Sequence, residues 1–127
     1  MYTFDDLVDI AKKLRSENGC PWDKEQTYES LKKCMEEECG EVLQAVDHKD
    51  TENLCEELGD VMFLLALNSQ IAAEKGDFTI EDVVNGVCEK MIRRHPHVFG
   101  DKKVHSKEEE LALWEQIKKQ EKSKKAL

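Results

Sequence analysis

Six carboxylates in two short groups carry the most chemistry in this sequence. Glu37, Glu38 and Glu41 form one group, and Glu56, Glu57 and Asp60 the other. Glu38 and Glu41 stand three residues apart, as do Glu57 and Asp60, and such residues are neighbours on one face of a helix. Each pair can therefore close on one cation. At ~100° per residue, Leu31, Cys34, Met35, Val42 and Ala45 fall in one apolar stripe, with Glu38 near its middle and Glu41 on its edge. Glu57 and Asp60 likewise share a side with Val61, Leu64 and Ile71. A carboxylate facing a core must be paired, protonated or bound to metal, because a bare buried charge is too costly. Four such acids from two helices offer the oxygen ligands that hard cations such as Mg²⁺ or Mn²⁺ take. Glu36 points away from the stripe, where a solvated acid is the plain reading.

The elements that must position these acids are helices. Periodicity predicts a first helix over about 3–17, with Thr3 as cap and Asp5 and Asp6 in its first turn. Asn18-Gly19 and Cys20-Pro21 then break the chain. The second helix is expected over about 27–48 and the third over about 51–75, with Asp50 capping the third. So short a connection makes them antiparallel neighbours. One acidic pair lies about two turns before the connection and the other about two turns after it, so the pairs meet at one height. Val61 to Leu67 is apolar on nearly all sides, which predicts burial on all sides and hence a subunit interface for this helix. A fourth helix follows Thr79, with Ile80, Val83, Val84, Val87, Cys88, Met91 and Ile92 on its apolar side. The turn His95 to Asp101 should tuck Val98 and Phe99 against the bundle. Ser106 caps a last helix, with Glu109 at the capping-box position, and Leu111, Leu113, Trp114 and Ile117 able to pack. Residues 118–127 read as a frayed tail.

Composition sets the limits. The 127 residues suit a single domain with a real core. A net charge of −9 argues against nucleic acid or an anionic membrane as partner. No uncharged run is long enough to span a bilayer. Five cysteines, an odd number without a CxxC, read as reduced thiols of a cytoplasmic protein, several of them core.

Two further groups could touch a ligand. Lys90, Arg93, Arg94 and His95 end the fourth helix. Cations suit a helix C-terminus in any case, but in so acidic a chain the cluster is also a candidate phosphate clamp. Trp22, in the stretch Cys-Pro-Trp-Asp, is either a packing residue at the bundle end, the plainer reading, or a lid or base-stacking platform. His95 and His97 lack further ligands at zinc spacing.

These residues together resemble a known family. Glu37-Glu38 and Glu41, followed by Glu57-Leu58-Gly59-Asp60, look like the EExxE…ExxD signature of the MazG-type nucleoside triphosphate pyrophosphohydrolases, a signature shared with dimeric dUTPases and phosphoribosyl-ATP pyrophosphohydrolases. GCPWD at Gly19 to Asp23, KMIRRHPHVFGD at Lys90 to Asp101 and LWEQIK around Trp114 resemble MazG in the same order. Cys39-Gly40 departs from the bulkier residues the family more often has there, at roughly 1 kcal/mol of helix propensity for the glycine, and many MazG proteins carry two such modules where this chain has one.

The resemblance implies an all-α fold with a four-helix-bundle core and an additional C-terminal helix, assembled as a homodimer or a dimer of dimers. It implies Mg²⁺-dependent hydrolysis of (deoxy)nucleoside triphosphates between the α and β phosphates, giving monophosphate and pyrophosphate, as house-cleaning of the nucleotide pool. By motif position, Glu38, Glu41, Glu57 and Asp60 would hold the metal. Glu37 would lie in the outer shell or orient the attacking water, and Glu38 would share the catalytic role. Lys90, Arg93 and Arg94 would hold phosphates, with Trp22 and Trp114 beside the nucleotide. The alternatives are a relative with one narrow substrate (dUTP, dCTP or phosphoribosyl-ATP) and a non-catalytic helical module whose acids pair with Lys32, Lys33 or Lys49.

Overall fold

A computed structural model describes residues Met1–Ala126. Among the described residues there are seven helices and no strand: α1 Phe4–Leu14, α2 Pro21–Glu25, α3 Tyr28–Asp47, α4 Thr51–Lys75, α5 Ile80–Arg94, α6 Pro96–Phe99 and α7 Lys107–Ala126. None is long and apolar enough to cross a membrane. The helices fall into two compact units, Met1–Ile80 and the residues from Glu81 onward.

In the first unit, α4 is the central element, packed by α3 and by α1. Ala11, Leu31, Leu64, Ala66, Leu67 and Ile71 form its buried core, flanked by Leu7, Tyr28, Cys34, Met35 and Phe63. The helix ends are fixed by local chemistry. Thr3 and Asp6 form a reciprocal capping box on α1, and Thr27 and Ser30 form another on α3. The Asp50 side chain accepts from Asn53 N at 3.1 Å to start α4, and Gly76, with φ of 76°, ends it in the left-handed conformation that glycine tolerates. The α3–α4 connection is only His48 to Asp50, which forces the two helices antiparallel.

Two polar staples hold the far end of this unit. Arg15, only 8% exposed, donates to both Glu74 carboxylate oxygens at 2.9 Å and to the carbonyls of Asp23 and Gln26 at 2.6 and 3.0 Å. It thereby fixes α2 to the end of α4 and holds the Glu74 carboxyl below its ordinary pKa. The Tyr28 hydroxyl donates to Asp77 Oδ2 at 2.7 Å, which pushes its pKa up to about 12.

In the second unit, α7 begins after Ser106, whose hydroxyl accepts from Glu109 N at 3.1 Å. The Glu109 carboxylate reaches back to His105 N, one residue before the expected capping-box partner. His95 Nδ1 donates to the Met91 carbonyl, and its ring meets Trp114 edge-on at 5.0 Å.

Several expectations need correction. The Cys20-Pro21 break does not leave a bare loop: proline at N1 starts a short helix, α2, which carries Trp22. Val98 and Phe99 are exposed rather than tucked in, because α6 is a single turn with no buried residue. Residues 118–126 form the last part of α7, and Leu127 lies outside the described residues. No cysteine is buried: Cys20 and Cys34 are half-buried, and Cys39, Cys55 and Cys88 are exposed.

Candidate metal centre

The antiparallel α3–α4 pair brings Glu38 and Glu41 of α3 level with Glu57 and Asp60 of α4. One carboxylate oxygen from each lies within 4.8 Å of those of the other three. The helical register does this without irregular backbone. The apolar stripe of α3 turns Glu38 toward α4, and the burial of Leu64, Leu67 and Ile71 fixes the rotation of α4 that turns Glu57 back toward α3. Gly40 does not interrupt α3, and space is open around it.

Burial is graded across the cluster. Glu57 is only 9% exposed, Glu38 is half-buried, and Glu41 and Asp60 reach solvent. Oε2 of Glu38 and Oε2 of Glu57 are buried without a hydrogen-bond partner. No lysine or arginine among the described residues forms an ion pair with any of the four. Lys33, a partner considered for these acids, stands 3.9 Å from Glu37 instead.

The electrostatics follow from four like charges without a counter-charge. Glu57 is pushed up to about 7, first by a hydrogen bond shared with Glu41, then by burial and by its acidic neighbours. Glu38 is raised by burial and by the charges of Glu41 and Asp60. Protons can relieve such repulsion, and so can a cation. Orphaned buried carboxylate oxygens in an all-oxygen donor set fit a hard divalent ion and do not fit a soft one.

The other sequence candidates have different surroundings. Glu37 is exposed, 61% at its side chain, and stands outside the four-acid group. Trp22 is exposed on α2. Lys90 is exposed on α5. Arg93 and Arg94 converge on one carboxylate, Glu121 of α7, at 3.1 and 3.2 Å. Arg94 also lies over the Trp114 ring at 5.3 Å. The arginines hold Glu121 down at about 2. Sequence reasoning missed Glu121, because 27 and 28 residues separate it from its partners and no motif links them. It missed Arg15 for the same reason, its partner Glu74 being 59 residues away.

The family model for the MazG nucleotide pyrophosphohydrolase domain matches residues 26–99, more than half of the chain and all four clustered acids. The chain is 52% identical over 122 residues to the nucleoside triphosphate pyrophosphohydrolase/pyrophosphatase MazG of Thermotoga maritima, covering 96% of this chain and 46% of that protein. It is 44% identical over 127 residues to the nucleoside triphosphate pyrophosphohydrolase of Escherichia coli, covering 99% of this chain and 48% of that one. The chain thus spans about half the length of these relatives. Its fold matches the crystal structure of a mazG-related protein from Thermotoga maritima with a TM-score of 0.75 at 33% identity, covering 91% of this chain and 98% of that one. In sequence, in fold and in the family match that contains its acidic cluster, the chain belongs to the MazG nucleotide pyrophosphohydrolase domain family.

Proposed function

We propose that this chain hydrolyses (deoxy)nucleoside triphosphates to monophosphate and pyrophosphate, with Mg²⁺ as cofactor and Mn²⁺ as substitute. The observation that carries the reading is the convergence of Glu38, Glu41, Glu57 and Asp60 on one point with no lysine or arginine among the described residues paired to them. The names of the Escherichia coli and Thermotoga maritima relatives support the substrate class.

In this reading the four acids hold the metal. When bound, such an ion neutralises phosphate charge and lowers the pKa of a water. Glu38, or Glu37 beside the cluster, takes up the proton as the water attacks. Lys90, Arg93 and Arg94 steady the phosphates, and Trp22 and Trp114 flank the nucleotide. The protein works as a homodimer or dimer of dimers with a four-helix-bundle core and the C-terminal helix added to it. The exposed Leu58, Met62 and Leu65 on one face of α4, and Val83, Val84 and Val87 on α5, support that assembly. Five unpaired cysteines suit a reducing cytoplasm.

The test is to incubate the protein with NTPs and dNTPs, with and without Mg²⁺, and to identify the products. Monophosphate and pyrophosphate, formed only with metal, are expected. Diphosphate and orthophosphate would overturn the proposed scissile bond. No turnover and no metal-induced stabilisation would return the four acids to a structural role.

A further inference from the structure

The second unit holds a groove of about 370 Å³ that involves none of the clustered acids. That is enough volume for a small ligand. Arg93, Lys102 and Lys124 line it, with the amides of Gln116 and Gln120 between them and Leu113 and Ile117 as apolar lining. In a chain of net charge −9, three cations around one groove are a local reversal of sign.

Glu121 is the one acid in the lining, and both its oxygens are engaged: Oε1 by Arg93 and Arg94, and Oε2 by Arg94 Nε at 3.2 Å. Its charge is thus spent on the two guanidiniums. Arg94 is 17% exposed and held between Glu121 and the Trp114 ring, whereas Arg93 is 51% exposed and keeps further N–H donors for the groove. Adjacent residues on a helix point about 100° apart, and two guanidiniums repel. Glu121 offsets both effects by drawing them to one point.

We propose that this groove binds polyphosphate, through Arg93, Lys102 and Lys124, with Glu121 as the positioning residue that fixes Arg93. Of the sequence candidates Lys90, Arg93 and Arg94, only Arg93 lines this groove, and Lys102, Lys124 and Glu121 line it beside Arg93. The binding chemistry stands on the groove alone; that the occupant is the phosphate chain of a substrate rests on the proposed function.

The experiment is calorimetric titration of the full chain with sodium tripolyphosphate in EDTA. Wild type binds, and a Lys102→Ala/Lys124→Ala variant at two exposed positions loses about tenfold in affinity. Glu121→Gln loses affinity severalfold at unchanged helix content, and in a Trp22→Phe background it shifts the Trp114 fluorescence. No wild-type binding, or a double variant that binds as tightly as wild type, overturns the proposal. A non-hydrolysable nucleoside triphosphate that displaces tripolyphosphate assigns the groove to substrate; one that fails to displace it assigns the groove to a separate polyphosphate, and either result upholds the binding site. The titration needs neither metal nor turnover, so a chain that hydrolyses nothing could still pass it, and the two readings fail separately.

Discussion

The α3–α4 pair and the second unit handle charge in opposite ways. Glu38, Glu41, Glu57 and Asp60 converge, and among the described residues no lysine or arginine pairs with them. Arg93 and Arg94 converge as well, but on Glu121, which answers both. Arg15 is a third case, buried and matched by Glu74 and two carbonyls. A folded chain tolerates buried charge when a partner is present. Where helices assemble four like charges and supply no partner, the partner must come from solution. Charge matched by its partner, as at Arg15 and Glu74, fastens elements together; charge left in excess, negative among the four acids and positive where one carboxylate meets two guanidiniums, is where a partner from solution is to be sought.

The largest effect that could break this contrast lies at Glu57. Glu57→Gln should abolish the rise in melting temperature that Mg²⁺ or Mn²⁺ gives by linkage. It should also cut nucleotide turnover by more than the roughly 100-fold that loss of a residue behind a metal ligand can cost. Retention of both the thermal shift and the rate would remove the acids from the centre of function.

Arg15→Ala should act on stability alone. It leaves Glu74 and two carbonyls without their donor, and urea unfolding should register a loss of about 2–3 kcal/mol. The metal-induced thermal shift should survive in the folded fraction. A loss within error of zero would mean that solvent replaces all four bonds of Arg15.

The pH dependence in EDTA should carry both signs. Glu57 is raised in the folded state from its ordinary 4.5 to about 7, so the folded chain holds the proton more tightly than the unfolded one. Its contribution is full below pH ~4.5 and disappears as pH rises through about 7. Glu121 is lowered to about 2, so its contribution is full above ~4.5 and is lost as pH falls toward 2. Melting curves across pH should therefore slope down on both sides. Glu57→Gln should flatten the upper limb and Glu121→Gln the lower; a wild-type curve that rises from pH 5 to 7 would contradict the first assignment.

The smallest effect concerns Gly40. Its backbone is helical and nothing lies within 4 Å of a Cβ placed there. Gly40→Ala should stabilise the protein by about 0.5–1 kcal/mol, read as a higher urea midpoint. A lower midpoint would mean that the position must stay bare, as at a tight subunit contact.

What could be read from the sequence was what depends on near neighbours. Capping residues and the 3.6-residue period placed α3 and α4 almost to the residue. The same period turned Glu38 and Glu57 inward, so the acid cluster could be found before any coordinates. Glu121 and Arg15 could not, since an ion pair across 27 or 59 residues leaves no periodic trace. Helix α2 escaped because its five residues are too few to show a period, and a Cys-Pro step reads equally as a stop and as a proline start. Val98 and Phe99 were misread because apolar residues suggest burial, whereas a four-residue helix has no second turn with which to bury them.

The brevity of the His48–Asp50 connection has a kinetic consequence. Every clustered acid lies between Glu38 and Asp60, so the contacts that build the cluster are local in sequence. Closing so short a loop costs little entropy, and helical hairpins of this kind form early and fast. On that expectation the four carboxylates would be brought together while the rest of the chain is still searching. If the proposed divalent ion binds there, it would meet the four carboxylates already in the nascent hairpin, and its concentration would bear on the folding rate as well as on the stability of the folded protein.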